Sequence, residues 1–271
     1  MSVSSSPGAA PTSPGARPRA LVTGGARRIG REIALELAAH GWDLAVHCHR
    51  SLADAETTAE LAGAAGASAE VFSADLAEPQ ACAALVPAVL LRCGRLDAIV
   101  NNASLFEYDD VASFSVSAME RHMRANTAPA IVLARALYEH LRARSARGCV
   151  VNLLDQKLAN PNPDYLSYTL SKAALEVAGT MLAQALAPVL RVCGVSPGVT
   201  LLSGPMTSDE FASAHQLTPL QRSSTPGDIA RAVRFLLESP AITGTTLLVD
   251  GGQHLQAQAR DVLFLAKQSA Q

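Results

Sequence analysis

The sequence predicts an α/β fold: a doubly wound, seven-stranded parallel sheet with helices on both faces, contained in a single domain. Three observations predict it. Short β-rich apolar runs alternate with longer helical stretches along most of the chain. A glycine-bearing turn joins the first strand to the first helix. No internal repeat and no interior linker divides the 271 residues. The composition agrees, because 49% hydrophobic with only 4% aromatic residues suits an Ala/Leu/Val-rich interior of packed helices and strands.

The elements follow in order. Residues Met1 to Pro18 are almost entirely Ser, Pro, Gly, Ala and Thr, and are expected to form a disordered tail. The folded domain then runs over 19–253, with 254–271 as a C-terminal extension. Ala20 to Thr23 reads as the first strand and Arg31 to Ala39 as the first helix. Leu44 to His47 and Glu70 to Ser73 are the next strands, followed by helices over Ala53 to Ala65 and Gln80 to Arg92 respectively. Asp97 to Val100, Cys149 to Leu154, Val189 to Val195 and Thr246 to Val249 supply four more strands. Helices are expected over Ser117 to Arg144, Tyr165 to Ala187 and Pro226 to Glu238. Right-handed crossovers would place every strand C-terminus on one edge, where ligands bind.

Several function classes are disfavoured at once. A net charge of -2 gives no reason to expect nucleic acid or an anionic membrane as partner. No apolar run approaches the roughly 20 residues of a membrane span. Five scattered cysteines without metal-ligand spacing read as reduced thiols in a cytoplasmic compartment, with no metal site.

The first strand runs into Thr23-Gly24-Gly25-Ala26-Arg27-Arg28-Ile29-Gly30. At that position glycines let backbone N–H groups approach a pyrophosphate at a helix N-terminus, although a plain strand-to-helix turn has the same composition. The end of the second strand would lie beside the adenosine ribose. An acid there would suit a free 2′-hydroxyl, and a basic residue a 2′-phosphate. The chain has His49-Arg50-Ser51 and no acid until Asp54. A guanidinium and a hydroxyl favour NADP(H), with Arg27 adding to the same positive pocket. Asp75 would accept from the adenine amino group or cap the next helix.

Tyr168 and Lys172 are four residues apart, on one helix face. A phenol near its reference value of about 10 is a poor base at neutral pH. A fixed ammonium beside it would favour the phenolate. With these pieces in place, the chain resembles the short-chain dehydrogenase/reductase superfamily over about 19–252. The matching pieces are the Thr23–Gly30 loop, Asp75, Asn101-Asn102-Ala103, Asn126, Tyr168, Lys172, Pro197-Gly198 and Asp250-Gly251-Gly252. The resemblance implies a Rossmann fold. It makes Tyr168 the general acid or base, Lys172 the group that lowers its pKa and holds the nicotinamide ribose, and Asn126 the support of a relay water. It assigns the cofactor to Gly24, Arg27, Arg28, Ile29 and Gly30, to His49, Arg50 and Ser51, and to Asp75 and Leu76. Asn102, Ala103, Ser104, Tyr168, Lys172, Pro197 and Gly198 complete that set.

Two departures from the family pattern carry information. Arg28 stands where the loop usually has Gly, and Asp155, 13 residues before Tyr168, stands where a catalytic Ser is usual. A hydroxyl can donate to a carbonyl oxygen, whereas an ionised carboxylate only accepts. Asp155 therefore suits a nitrogen heterocycle better than a ketone. Both departures, with His49-Arg50-Ser51 and Asn102-Ala103-Ser104-Leu105-Phe106, are similar to the pteridine reductase branch. That likeness implies an NADPH-dependent reductase of a pterin or dihydrofolate-like substrate. Arg28, Ser104, Phe106, Asp155 and Tyr168 would contact the substrate; Asp155 would also be catalytic, and Phe106 would stack on the ring or else cover the core. Another small carbonyl or imine substrate, or a non-catalytic NADP(H) sensor, is the alternative. The 201–218 stretch, with Met206, Phe211 and His215, reads as a variable loop in which His215 is solvent-exposed. A homo-oligomer, tetramer favoured, is expected. The apolar Val262-Leu263-Phe264-Leu265 would contact another subunit or its own.

Overall fold

The computed structural model describes residues 17–202, 207–262 and 264–265. Most of the expected tail, Met206 and Leu263 therefore lie outside the described residues. The sheet has seven parallel strands in the order β3-β2-β1-β4-β5-β6-β7. These are β1 Arg19–Val22, β2 Asp43–Cys48, β3 Ala69–Ser73, β4 Ala98–Asn101, β5 Gly148–Leu153, β6 Leu190–Pro197 and β7 Thr246–Val249. Helices α1 Arg28–Ala39, α2 Leu52–Ala64, α3 Pro79–Cys93, α4 Val116–His122, α5 Ala128–Ala143, α6 Leu166–Leu186, α7 Ser208–Gln216 and α8 Pro226–Glu238 connect them.

Strand alternation divides the core in two. Ala20 and Val22 of β1 face a cluster closed by Ile33 and Leu37 of α1 and by Ile229 and Val233 of α8. Leu21, between them, faces Leu85 and Val89 of α3 and Leu133 and Leu137 of α5. Both faces of the sheet are thus dry, which explains why its strands read as continuous apolar runs. β1 pairs with both β2 and β4, Val22 lying beside Val46 and Val100. The connections reverse direction there, and the crevice at the C-terminal ends of β1 and β4 is the ligand position of such a sheet.

Three expectations need correction. Arg17 and Pro18 belong to the folded body: the Arg17 guanidinium donates to the carbonyls of Ala38 (2.8 Å) and Gly66, and Asp43 N donates to Pro18 O at 2.8 Å. The single helix expected over Ser117 to Arg144 is interrupted by a π-helical turn, Met123–Thr127, where Ala128 N donates to Met123 O. Pro129, with no N–H, cannot donate to the carbonyl four residues back, so the wider turn falls just ahead of it. Finally, the expected loop over 201–218 contains α7, started by a capping box of Thr207 and Glu210.

Candidate active site

The cofactor cleft is built at the switch point. Gly24 has φ +63°, a left-handed conformation that turns β1 toward α1. Gly30 is required by close approach, since a Cβ there would sit 2.1 Å from the Gly24 carbonyl oxygen. Asn102 Nδ2 donates to the carbonyls of Thr23 (2.9 Å) and Gly24 (3.2 Å), and Thr23 Oγ1 accepts from the backbone N–H groups of Asn102 and Ala103. Asn102 and Ala103 thus brace the loop as well as line the cleft.

His47, which sequence reading leaves unremarked inside β2, completes this bracing. It is buried, its Nδ1 accepts from Gly24 N at 3.2 Å and its Nε2 donates to Ala74 O at 3.1 Å. Burial pushes its pKa down to about 4, so the ring is neutral and can play both parts. A polar residue inside an otherwise apolar strand was the available signal.

Beside this loop, a cavity is lined by Gly24, Arg27, Arg28, His49, Arg50 and Ser51. Arg27 pairs with Asp54 at 3.6 Å, whereas Arg50 has no hydrogen bond or ion pair among the described residues. Ser51 precedes α2 without a side-chain cap bond. An unpaired guanidinium beside a free hydroxyl, with no carboxylate at the strand end, fits a 2′-phosphate. His49 lies 3.5 Å from Asp75, and Asp75 accepts from Ala77 N at 3.0 Å. Asp75 therefore shapes the turn after β3 rather than capping α3, whose N-cap is Glu78. With Leu76 it lines an adjoining cavity.

The catalytic cavity, about 310 Å³, continues from there past Arg28, Ile29, Ser104 and Phe106 to Asp155, Tyr168 and Lys172, with Pro197 and Gly198 on its far wall. Ser104 lines all three cavities. Arg28 occupies a left-handed conformation, φ +55°, and donates from Nη2 to Leu202 O at 2.9 Å. The arginine thereby ties the phosphate loop to the segment following β6, at a backbone position where glycine is the unstrained residue.

Asp155 ends β5. Its Oδ1 accepts from Lys157 N at 2.9 Å, and its Oδ2 accepts from the Tyr168 hydroxyl at 2.9 Å. Lys172, one turn along α6, donates to Leu153 O at 2.7 Å, and its Nζ lies 5.8 Å from the Tyr168 ring centroid. Burial raises the pKa of Asp155, partly opposed by its bonds to Lys157 N and Tyr168. Burial, and then the Asp155 charge, hold Tyr168 well above the ordinary phenol range. Burial lowers Lys172 to about 8 against the pull of Asp155.

The expected lowering of the Tyr168 pKa by Lys172 is not the net direction: burial and the Asp155 carboxylate favour the phenol's proton, while the ammonium donates to the Leu153 carbonyl. Tyr168 is thus a neutral donor, and Asp155 takes up a proton more readily than an ordinary carboxyl.

The Asn126 side chain is held entirely by the protein. Its Oδ1 accepts from Leu105 N (2.7 Å) and Ser104 Oγ (3.2 Å), and its Nδ2 donates to Leu105 O (3.0 Å) and Ser171 Oγ (2.9 Å). The carboxamide is saturated by protein and fixes the Ser104–Leu105 chain. Phe106, next along, is 44% exposed; it stacks on Tyr165 (centroids 4.3 Å, 15°) and meets Tyr168 edge-on at 4.6 Å. It therefore borders the cavity partly exposed, and does not cover the core. Tyr165 was not singled out in the sequence, where only its position three residues before Tyr168 hints at the site.

His215 is half-buried rather than exposed: its Nδ1 accepts from Ser223 N at 3.3 Å and its ring meets Phe211 at 4.4 Å. The C-terminal segment packs on its own subunit, with Val262 buried and Arg260 and Asp261 joined to Asp164 and Lys157. Among the described residues no helix is long and apolar enough to cross a membrane, and no cluster of three His, Cys, Asp or Glu could hold a metal ion.

Residues 24–254 match the family described as Enoyl-(Acyl carrier protein) reductase. The chain is 35% identical to a granaticin polyketide synthase putative ketoacyl reductase 2 from Streptomyces violaceoruber (88% of this chain, 96% of the relative). It is 34% identical to pteridine reductase 1 from Leishmania tarentolae (90% and 98%). Among solved structures, the FolM alternative dihydrofolate reductase 1 of Brucella canis, complexed with NADP, superposes with a TM-score of 0.85 at 40% identity (91% and 97%). The Brucella suis counterpart, also with NADP, gives 0.82 at 39% (90% and 98%). The chain belongs to the short-chain dehydrogenase/reductase oxidoreductases, as a pteridine reductase-like member.

Proposed function

We propose that this chain is an NADPH-dependent reductase of a pterin or dihydrofolate-like heterocycle. The observation that carries the reading is the 2.9 Å hydrogen bond from Tyr168 to Asp155, at the position where ketone reduction wants a hydroxyl donor. A carboxyl with raised pKa can accept from a ring N–H or protonate a ring nitrogen, whereas an ionised carboxylate would oppose a developing alkoxide. The Brucella structures with NADP and the Leishmania pteridine reductase support the same assignment.

When bound, NADPH would supply the hydride for a ring carbon. Arg50 and Ser51 would hold its 2′-phosphate, the Gly24–Gly30 loop its pyrophosphate, and Lys172 its nicotinamide ribose. The chain's own contribution is orientation and proton supply. The exposed part of Phe106 would offer the heterocycle a stacking surface, Arg28 and Ser104 would bond its polar edge, and the Asp155–Tyr168 pair would deliver the proton.

The ketoacyl reductase relative favours a second reading, reduction of a small carbonyl, with Asp155 only reshaping the pocket. NADPH consumption measured with dihydropterins, oxidised pterins, dihydrofolate and a panel of ketones separates the two. Turnover of ketones with none of pterins or folate would overturn the first.

The same proposal extends to setting. All five cysteines are free thiols, which supports a cytoplasmic location. Leu170, Val177 and Met181 expose apolar side chains along α6, and Phe235 and Leu248 form a second patch on α8 and β7. Two separate apolar faces support a homotetramer, because a dimer would cover only one of them.

A further inference from the structure

The described C-terminal residues converge on the catalytic cavity through a charged network the reaction does not otherwise use. Asp164 is almost fully buried and receives Arg260 bidentately, from Nε and Nη2 at 2.8 Å each, together with Asp261 N at 2.7 Å. Lys157, also buried, donates to Asp164 O at 2.5 Å and pairs with Asp261 Oδ2 at 3.1 Å. Its Nζ lies 5.4 Å from the centroid of Tyr165, the ring that stacks on Phe106. Asp261 and Val262 line the same cavity as Asp155 and Tyr168. A bidentate guanidinium–carboxylate pair on a buried acid fixes geometry as well as charge, so the segment forms an ordered wall there.

We propose that Arg260–Val262 is a clamp on the substrate pocket, in which Asp261 is a positioning residue that sets the Tyr165–Phe106 pair and places a second negative charge near Asp155. The ligand class it favours is a flat heterocycle presenting N–H donors or a basic ring nitrogen, which gains from that charge; a neutral ketone does not. This rests on the pterin reading for the substrate but not for the clamp itself. Asp155 faces Tyr168 and Lys172 from α6, Lys157 from its own turn, Asp261 from the C-terminal segment, and Arg28 across the cavity. Within that set Asp261 favours the protonated forms of both Asp155 and Tyr168.

Three full-length variants test it: Arg260→Ala, Asp261→Asn and Asp261→Glu. Loosening the clamp with Arg260→Ala should raise KM for the dihydropterin several-fold, with kcat and KM for NADPH nearly unchanged. Asp261→Asn removes one negative charge while Lys157 keeps its bond to Asp164 O. The lost charge disfavours protonated Asp155, so the alkaline limb of the kcat profile should move to lower pH, and Asp261→Glu should restore it. Hydrogen exchange of the 164–169 amides should quicken in Arg260→Ala, and this readout does not depend on any substrate. An unchanged KM, an unchanged pH limb and unchanged exchange would overturn the clamp. Absence of pterin turnover in the wild-type chain would overturn the substrate reading alone, leaving exchange to decide the clamp.

Discussion

Replacing Asp155 by Asn isolates the charge of the carboxyl from its shape. Asn is nearly isosteric, and its single oxygen can still accept from Lys157 N; its amide nitrogen then faces Tyr168 as a donor, so that contact persists only with its direction reversed. What is lost is a group able to take and return a proton. A hydrogen bond to a charged acceptor is worth about 1.5–3 kcal/mol, or about one to two decades in rate at 1.36 kcal/mol per tenfold. Losing a positioned proton donor costs about 10²–10⁴-fold. The expected kcat for dihydropterin reduction therefore falls by about two to four orders of magnitude. NADPH affinity should persist, because Asp155 does not line the basic cavity of Arg27, Arg50 and Ser51. Steady-state NADPH consumption gives kcat, and fluorescence titration of NADPH gives the binding constant. A kcat within one order of magnitude of wild type would refute the proton-delivery reasoning, as would an equal loss in NADPH affinity and rate.

Arg50→Ala should raise KM for NADPH about 10- to 100-fold while changing KM for NADH little, since only a 2′-phosphate contact of about 1.5–3 kcal/mol is removed; equal effects on both cofactors would contradict the placement. Gly30→Ala would drive a methyl to 2.1 Å from the Gly24 carbonyl, so loss of NADPH binding with a destabilisation above about 1 kcal/mol is expected on thermal unfolding. Arg28→Gly relieves a left-handed arginine worth about 1–2 kcal/mol and frees Leu202. Its Tm should hold or rise while KM for the heterocycle increases. The pH dependence of kcat/KM for NADPH, which reports the free enzyme, should show an alkaline limb near 8 from loss of the Lys172 charge. The stability contribution has the opposite sense. Between about 8 and the ordinary lysine value of 10.5 the folded chain binds fewer protons than the unfolded one, so this group adds stability as pH rises through that window.

Much of the site was legible because its residues sit where strand ends and helix periodicity put them. Gly24 and Gly30 follow β1, Arg50 follows β2, Asp155 follows β5, and Tyr168 and Lys172 share one face of α6. The parts that were not legible depend on three-dimensional contact. Lys157 meets Asp261 across 104 residues, and nothing local in either segment announces the pair. His47 braces the glycine loop only because β2 lies beside β1. The upward direction of the Tyr168 pKa comes from burial and the Asp155 carboxylate, neither of which is visible in the spacing to Lys172. Likewise the sequence reads as one helix over Ser117 to Arg144, and only the folded chain shows that a π-turn ahead of Pro129 aims Asn126 at Ser104 and Leu105.

Isotope transfer tests the central claim most directly. NADPH deuterated at the transferable nicotinamide position is incubated with the wild-type chain and a dihydropterin, and the product is read by nuclear magnetic resonance. Deuterium on a ring carbon of the reduced pterin, and none transferred in the Tyr168→Phe variant, is the predicted result. Deuterium appearing only in the alcohol of a competing ketone, with the pterin unlabelled, would contradict it.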